Sequence, residues 1–291
     1  MIIKNEFPIL EYSTEEKGIL DVKESYDYED GIFPKLCFMT FFSEVFEDYA
    51  KKYGCENGEI GGYNSEMCFF PVLKINYNGK EMCMMQAPVG SANAVSFADY
   101  LYSNGVETII CCGGCGVLDD IPKGDVIVPV KALRGEGGSY QYLPPSRFVE
   151  LSDTVIQKLE ETMDRLDVPY IECITWTTDG LFRETKEMVD YRKSEGCKTV
   201  EMECAAFAAV AKFKKKDFGQ LLYSGDVVTG EGNYDDREWY NDMSAREKLA
   251  HIAIEALCLL YNIKNITEEI FTREITLEQA ADLIYNRVGL L

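Results

Sequence analysis

The chain has 291 residues, 46% of them hydrophobic, and a formal net charge of −21 from 50 acidic against 29 basic side chains. That length accommodates one large domain or two small ones. The acidic excess excludes nucleic acid and anionic membranes as natural partners, because both are polyanions, and no apolar run approaches the ~20 residues of a membrane span.

The first 34 residues are acidic and weakly patterned, and read as an arm over the surface. Short apolar runs then alternate with amphipathic segments, the pattern of an α/β domain. Helix Ser43–Tyr53 is followed by predicted strands Phe69–Ile75 and Glu81–Gln86, helix Asn93–Ser103, and strands Thr108–Cys112 and Asp125–Pro129. Helix Ser152–Leu166, strand Tyr170–Thr175, helices Thr185–Glu195 and Met202–Lys214, strand Gln220–Tyr223 and helix Ser244–Tyr261 complete the domain. Ser43, Ser152, Thr185 and Ser244 are the expected N-caps. With no repeat or Pro/Gly-rich linker, residues 35–262 form one domain, and 263–291 form a tail carrying a helix over Leu277–Arg287.

The eleven cysteines show no disulfide spacing, and Cys83, Cys111 and Cys112 sit in apolar runs as small hydrophobes. With no secretory signal after Met1, a reducing cytoplasm is expected. Cys112 and Cys115 form a Cys-x-x-Cys, but no second pair accompanies it, and His251 is the sole histidine. A metal site and a histidine base are therefore not expected.

Three glycine-bearing turns follow predicted strands, where sites gather in open α/β sheets. They are Gln86-Ala87-Pro88-Val89-Gly90-Ser91-Ala92-Asn93, Cys112-Gly113-Gly114-Cys115-Gly116 and Tyr223-Ser224-Gly225-Asp226. None matches the dinucleotide or P-loop fingerprint. The most informative stretch is Thr199-Val200-Glu201-Met202-Glu203-Cys204-Ala205-Ala206, which places two carboxylates at the head of a run of small apolar residues. That run reads as a buried helix. A carboxylate at its head serves either the helix dipole or a polar ligand such as two sugar hydroxyls.

Strand-end glycines, Val200-Glu201-Met202-Glu203 and Ser224-Gly225-Asp226, in that order, resemble the nucleoside phosphorylase superfamily of purine nucleoside phosphorylases, uridine phosphorylases and related nucleosidases. The likeness runs from about Lys35 to Tyr261. Arg134-Gly135-Glu136-Gly137-Gly138-Ser139-Tyr140 is similar to a stretch of the uridine phosphorylases, and Thr177 to Thr185 to a stretch of bacterial family members. The resemblance implies a single-domain, three-layer phosphorylase/hydrolase-like α/β fold with a mixed central sheet flanked by helices. It also implies a homodimer or hexamer that uses no organic cofactor and takes phosphate as co-substrate.

Carried onto this sequence, the resemblance makes Glu203 the grip on the ribose 2′- and 3′-hydroxyls, with Met202 under the sugar and Glu201 shaping that pocket. Asp226 corresponds to the acid that protonates N7 of a purine, supported by Arg237 or, failing that, Arg246. Thr178, Leu181, Phe182 and Arg183 fall on the base side, and Gly90, Ser91, Gly113 and Gly114 on the phosphate side. The phosphate motif departs from the family: the arginine before the glycine turn is Cys111 here, and a hydroxyl-bearing position is Gly114. Arg183, Arg134 and Lys35 are the available substitutes.

The leading expectation is phosphorolysis of a nucleoside, with the aspartate favouring a purine, to free base and ribose 1-phosphate in nucleoside salvage. The alternatives are hydrolysis, with Glu11, Glu136 or Glu201 activating water, and a nucleoside-binding module without turnover.

Overall fold

The structure, a computed structural model, describes residues 1–20, 22, 32–228, 234–272 and 279. A short ribbon, β1 (Ile2–Ile3) with β2 (Tyr12–Ser13), lies over the domain, and the Tyr12 hydroxyl donates to the Tyr142 carbonyl. The domain opens with β3 (Leu36–Thr40), α1 (Ser43–Tyr53), β4 (Gly54–Asn64), β5 (Phe69–Tyr77), β6 (Lys80–Gln86) and α2 (Ser91–Ser103). It continues through β7 (Thr108–Val117), β8 (Val126–Gly135), β9 (Phe148–Glu150), α3 (Asp153–Arg165), β10 (Tyr170–Thr178) and α4 (Lys186–Ser194). Last come β11 (Cys197–Glu201), α5 (Cys204–Lys214), β12 (Asp217–Val228), β13 (Tyr234–Asp235) and α6 (Met243–Thr272).

All the predicted strands form, several of them longer than expected, and β1, β2, β3, β4, β9, β11 and β13 are additional. β3 is five consecutive buried residues, Leu-Cys-Phe-Met-Thr, a run whose periodicity cannot separate strand from buried helix. β7 and β12 extend through glycine-bearing stretches of low intrinsic strand preference, because neighbours on both sides satisfy their backbone groups. α6 runs on past the expected end at Tyr261 and through the 262/263 boundary, and the helix expected over Leu277–Arg287 falls, but for Gln279, outside the described residues.

Of the expected caps, Thr185 accepts from the Met188 N–H. Ser43 is the first helical residue rather than the cap, and the Ser152 hydroxyl accepts instead from the Phe218 N–H. At the start of α6 the capping acceptor is Asp242, which bonds the Ala245 N–H.

The strands from β3 onward form one mixed sheet in the order β13-β12-β8-β10-β11-β7-β3-β6-β5-β4, with β9 paired to β8 off this path. Because β12 also pairs with β7, the run β7-β12-β8-β10-β11 closes back on β7 as a ring. Two helix pairs cover the strands, α2 with α5 and α3 with α6. Cys204 to Ala211 of α5 are all buried, as the small-residue run predicts, and Phe207 stacks on Phe218 of β12 at 5.3 Å. Among the described residues no helix is long and apolar enough to cross a membrane.

The ring positions the chemistry. The end of β7 pairs with β11 on one side (Val200 opposite Gly116) and with β12 on the other (Tyr223 opposite Gly114, Ser224 opposite Cys115). The strand leading to Glu203 and the strand leading to Asp226 therefore flank the same glycine-bearing strand end.

Candidate active site

At the end of β11 the two glutamates divide the roles that sequence left open. Glu201 takes the helix: its carboxylate accepts from the backbone N–H of Glu203 at 2.7 Å and of Cys204 at 2.6 Å, and from the Thr177 hydroxyl at 2.6 Å. These bonds satisfy donors that the first turn of a helix leaves free. Burial nevertheless dominates, and pushes the Glu201 carboxyl up to about 7. Glu201→Ala would strand these buried donors at about 1–3 kcal/mol each. A fall in melting temperature of about 6 °C or more is expected by thermal denaturation, at 2–4 °C per kcal/mol for a chain of this size. A fall below 2 °C would rule out the capping role.

Glu203 turns away from the helix. Its carboxylate accepts the Gly90 N–H at 2.6 Å, bridging α5 to the turn before α2. Gly90 holds φ +94°, a conformation that side chains resist. Burial first, and then the neighbouring Glu201 charge, push the Glu203 carboxyl up to about 8.

These raised values fix the sign of a pH effect. The native state holds both protons more tightly than the unfolded chain does, so the stabilisation is complete below the ordinary value of 4.5. It is lost as pH rises through about 7 and 8. Melting temperature should fall between pH 5.5 and pH 8.5, and Glu203→Gln should flatten that slope; an unchanged slope would refute this account.

Glu203 and Asp226 line one cavity of about 450 Å³, a volume suited to a small ligand. Met202, Glu201, Gly114 and Leu181 share its wall. Pairing of β12 with β7 is interrupted between Ser224 and Val227, and such a bulge re-aims a side chain. Burial raises the Asp226 carboxyl, while its polar surroundings, the Arg237 charge among them, oppose that rise. Glu184, also in the wall, is pushed up to about 7 by burial and by the Asp226 charge. Arg237 does not bond the Asp226 carboxylate; its Nε donates to the Gly225 carbonyl at 2.6 Å and a second nitrogen to Ile121 at 2.9 Å. It supports Asp226 through the backbone beside it and through its charge.

Residues 35–258 match the family model described as Phosphorylase superfamily. This chain is a member of that superfamily. It is 26% identical over 184 residues to the guanosine phosphorylase of Halorubrum lacusprofundi, covering 62% of this chain and 71% of that protein. To the purine nucleoside phosphorylase of Plasmodium falciparum it is 26% identical over 219 residues, covering 71% and 86%. Among solved structures, the AMP nucleosidase of Bacteroides thetaiotaomicron shares 25% identity at TM-score 0.64, with 80% of this chain and 91% of that one covered. The uridine phosphorylase of Vibrio fischeri, at 20% identity, TM-score 0.65 and coverage of 78% and 92%, shares the fold. The single mixed-sheet α/β domain expected from the resemblance is the fold observed.

In this phosphorylase-superfamily chain two of the four phosphate-side residues, Gly90 and Ser91, are engaged by carboxylates of the chain. The Gly90 N–H is held by Glu203, and the Ser91 hydroxyl donates to Asp179 at 2.5 Å. Gly113 does not line the cavity, and a Cβ there would lie 2.9 Å from the Phe41 ring; Gly114 does line it. Cys111 is fully buried in the core. The substitute cations are absent from the wall: Arg134 is spent on Ser139, Ser146 and the carbonyls of Leu143 and Pro144, and Arg183 and Lys35 lie elsewhere.

On the base side only Leu181 of the four candidates lines the cavity. Phe182 is 95% exposed, Thr178 caps its own turn by accepting from Gly180, and Arg183 is exposed. A three-residue helical turn, Leu181–Arg183, sends successive side chains in different directions. Of the water-activating candidates, Glu11 is exposed, Glu136 binds the Ser139 N–H, and Glu201 is the helix cap.

Several wall residues escaped the sequence reading: Glu44, Glu184, Gln220, Tyr234 and Trp239. Gln220 had a signal, a polar residue opening the apolar run Gln220-Leu221-Leu222-Tyr223. The thiols of Cys112 and Cys115 contact the Leu249 and Tyr223 carbonyls, and no cluster able to hold a metal occurs among the described residues.

Proposed function

We propose that this protein cleaves the N-glycosidic bond of a purine nucleoside by phosphorolysis, yielding free base and ribose 1-phosphate. The observation that carries the reading is the sharing of one cavity by Glu203 and Asp226. Glu203 accepts the ribose 2′- and 3′-hydroxyls, and those bonds favour its charged form, drawing its pKa down on binding. The resulting carboxylate stabilises the oxocarbenium-like sugar of the transition state. Asp226, whose carboxyl burial raises, gives a proton to N7 as the C1′–N9 bond breaks and the electron pair passes to the base. A phosphate oxygen then bonds to C1′. Met202 packs under the sugar, Leu181 and Tyr234 border the base, and Arg237 is a positioning residue. Purine nucleoside phosphorylases among the relatives support a purine substrate. The proposal includes a cytoplasmic homo-oligomer acting in nucleoside salvage without organic cofactor or metal.

A second reading, hydrolysis, is favoured by one observation: the turn groups expected to hold phosphate already bind Glu203 and Asp179. A superfamily relative named as an AMP nucleosidase is consistent with it. Incubation with inosine, guanosine, adenosine and uridine, with and without phosphate, separates the readings by chromatography of released base. Phosphate-dependent release supports phosphorolysis, phosphate-independent release supports hydrolysis, and binding without release refutes both.

A further inference from the structure

Gln220 and Arg246 lie in the cavity wall, and neither is used by the reaction as written. Gln220, on β12 opposite Cys111 of β7, is 1% exposed, and neither its amide nitrogen nor its amide oxygen has a partner. Arg246, in the first turn of α6, is 5% exposed and is the one Lys or Arg among the described wall residues. Its guanidinium packs over Phe42 at 4.9 Å and donates to Glu44 at 3.1 Å, while Nε has no partner. Buried polar groups left unpaired destabilise a fold, so the retention of both in one cavity wall points to a ligand.

The two side chains define its chemistry. Arg246 and the Gln220 nitrogen need acceptors, and Arg246 favours a negative one. The Gln220 oxygen needs a donor. A carboxylate cannot donate, and water or a sugar hydroxyl carries no charge. A phosphoryl group bearing one P–OH meets all three needs.

We infer that Gln220 and Arg246 form a phosphoryl subsite in this cavity, taking over from a glycine turn whose Gly90 N–H and Ser91 hydroxyl are already engaged. The inference rests on the N-glycosidic cleavage reading for its role. Two sources share this chemistry: inorganic phosphate as acceptor, and the 5′-phosphate of a nucleoside monophosphate.

Calorimetric titration of the full chain with inorganic phosphate and with AMP tests the subsite independently of turnover. At least one is expected to bind the unsubstituted protein. Gln220→Met and Arg246→Lys should each weaken that binding tenfold or more and leave inosine binding within twofold. Gln220→Met should also raise the ligand-free melting temperature, since it removes an unpaired amide, which a merely structural glutamine would not allow. Base release assigns the source. Stimulation of inosine cleavage by phosphate, lost in Arg246→Lys, identifies the acceptor. Preference for AMP over adenosine without added phosphate, lost in the same variant, identifies the 5′-phosphate. Absence of phosphate and AMP binding, or affinities unchanged in both folded variants, would overturn the subsite. If phosphate binds as described but no nucleoside or nucleotide is cleaved, the functional reading fails and the subsite stands.

Discussion

Asp226→Asn is expected to lower kcat on inosine by about 10²–10³-fold, within the usual contribution of a positioned general acid. Asparagine keeps the shape and can still donate an N–H, but it has no proton to transfer. A purine leaves poorly as an anion, so the missing proton is felt in the bond-breaking step. A riboside whose leaving group departs without protonation, such as 4-nitrophenyl riboside, should lose less than tenfold. Equal losses on both substrates would remove the general-acid role. The pH profile supplies a second reading: because burial raises the Asp226 carboxyl, activity should decline as pH climbs past its folded pKa, and Asp226→Asn should abolish that limb.

Glu203→Gln is expected to reduce kcat/KM on inosine by about 10²–10³-fold, the scale for removing one preorganised electrostatic contact in a closed site. The amide oxygen can still accept the Gly90 N–H, so the turn before α2 should stay in place. What disappears is the negative charge facing the sugar. The penalty should shrink on 2′-deoxyinosine, which lacks one of the hydroxyls that Glu203 is proposed to bind. A loss equally large on both nucleosides would show that Glu203 does not grip the 2′-hydroxyl. A variant of lower stability would show that the charge is structural, since neutralising a carboxyl pushed up by burial ought to stabilise the fold.

Local pattern and motif order carried much of this protein. The alternation of apolar and amphipathic runs shows an α/β domain, since periods of 2 and 3.6 are written directly in side-chain polarity. Cys204 to Ala211 show a buried helix, because no charged residue interrupts them. Glu203 and Asp226 stand out as acids bordering apolar segments, where an ionised group is costly without a partner. The division of labour between Glu201 and Glu203 was not legible, because adjacent carboxylates of like chemistry differ only in which backbone donors they reach.

The tertiary structure decided the rest, and the reason is that pairing partners are distant in sequence. Closure of β7, β12, β8, β10 and β11 into a ring brings β11 and β12 to opposite sides of one strand end, a relation no local window contains. The packing of helices on that sheet brings Glu44 from α1 and Arg246 from α6 to the same wall as Gln220 of β12, a grouping that their separation in sequence hides. The tertiary structure also leaves Phe182 outside the cavity and commits Gly90 and Ser91 to carboxylates of the chain. Residue types named the candidate reacting groups; long-range strand pairing chose their companions.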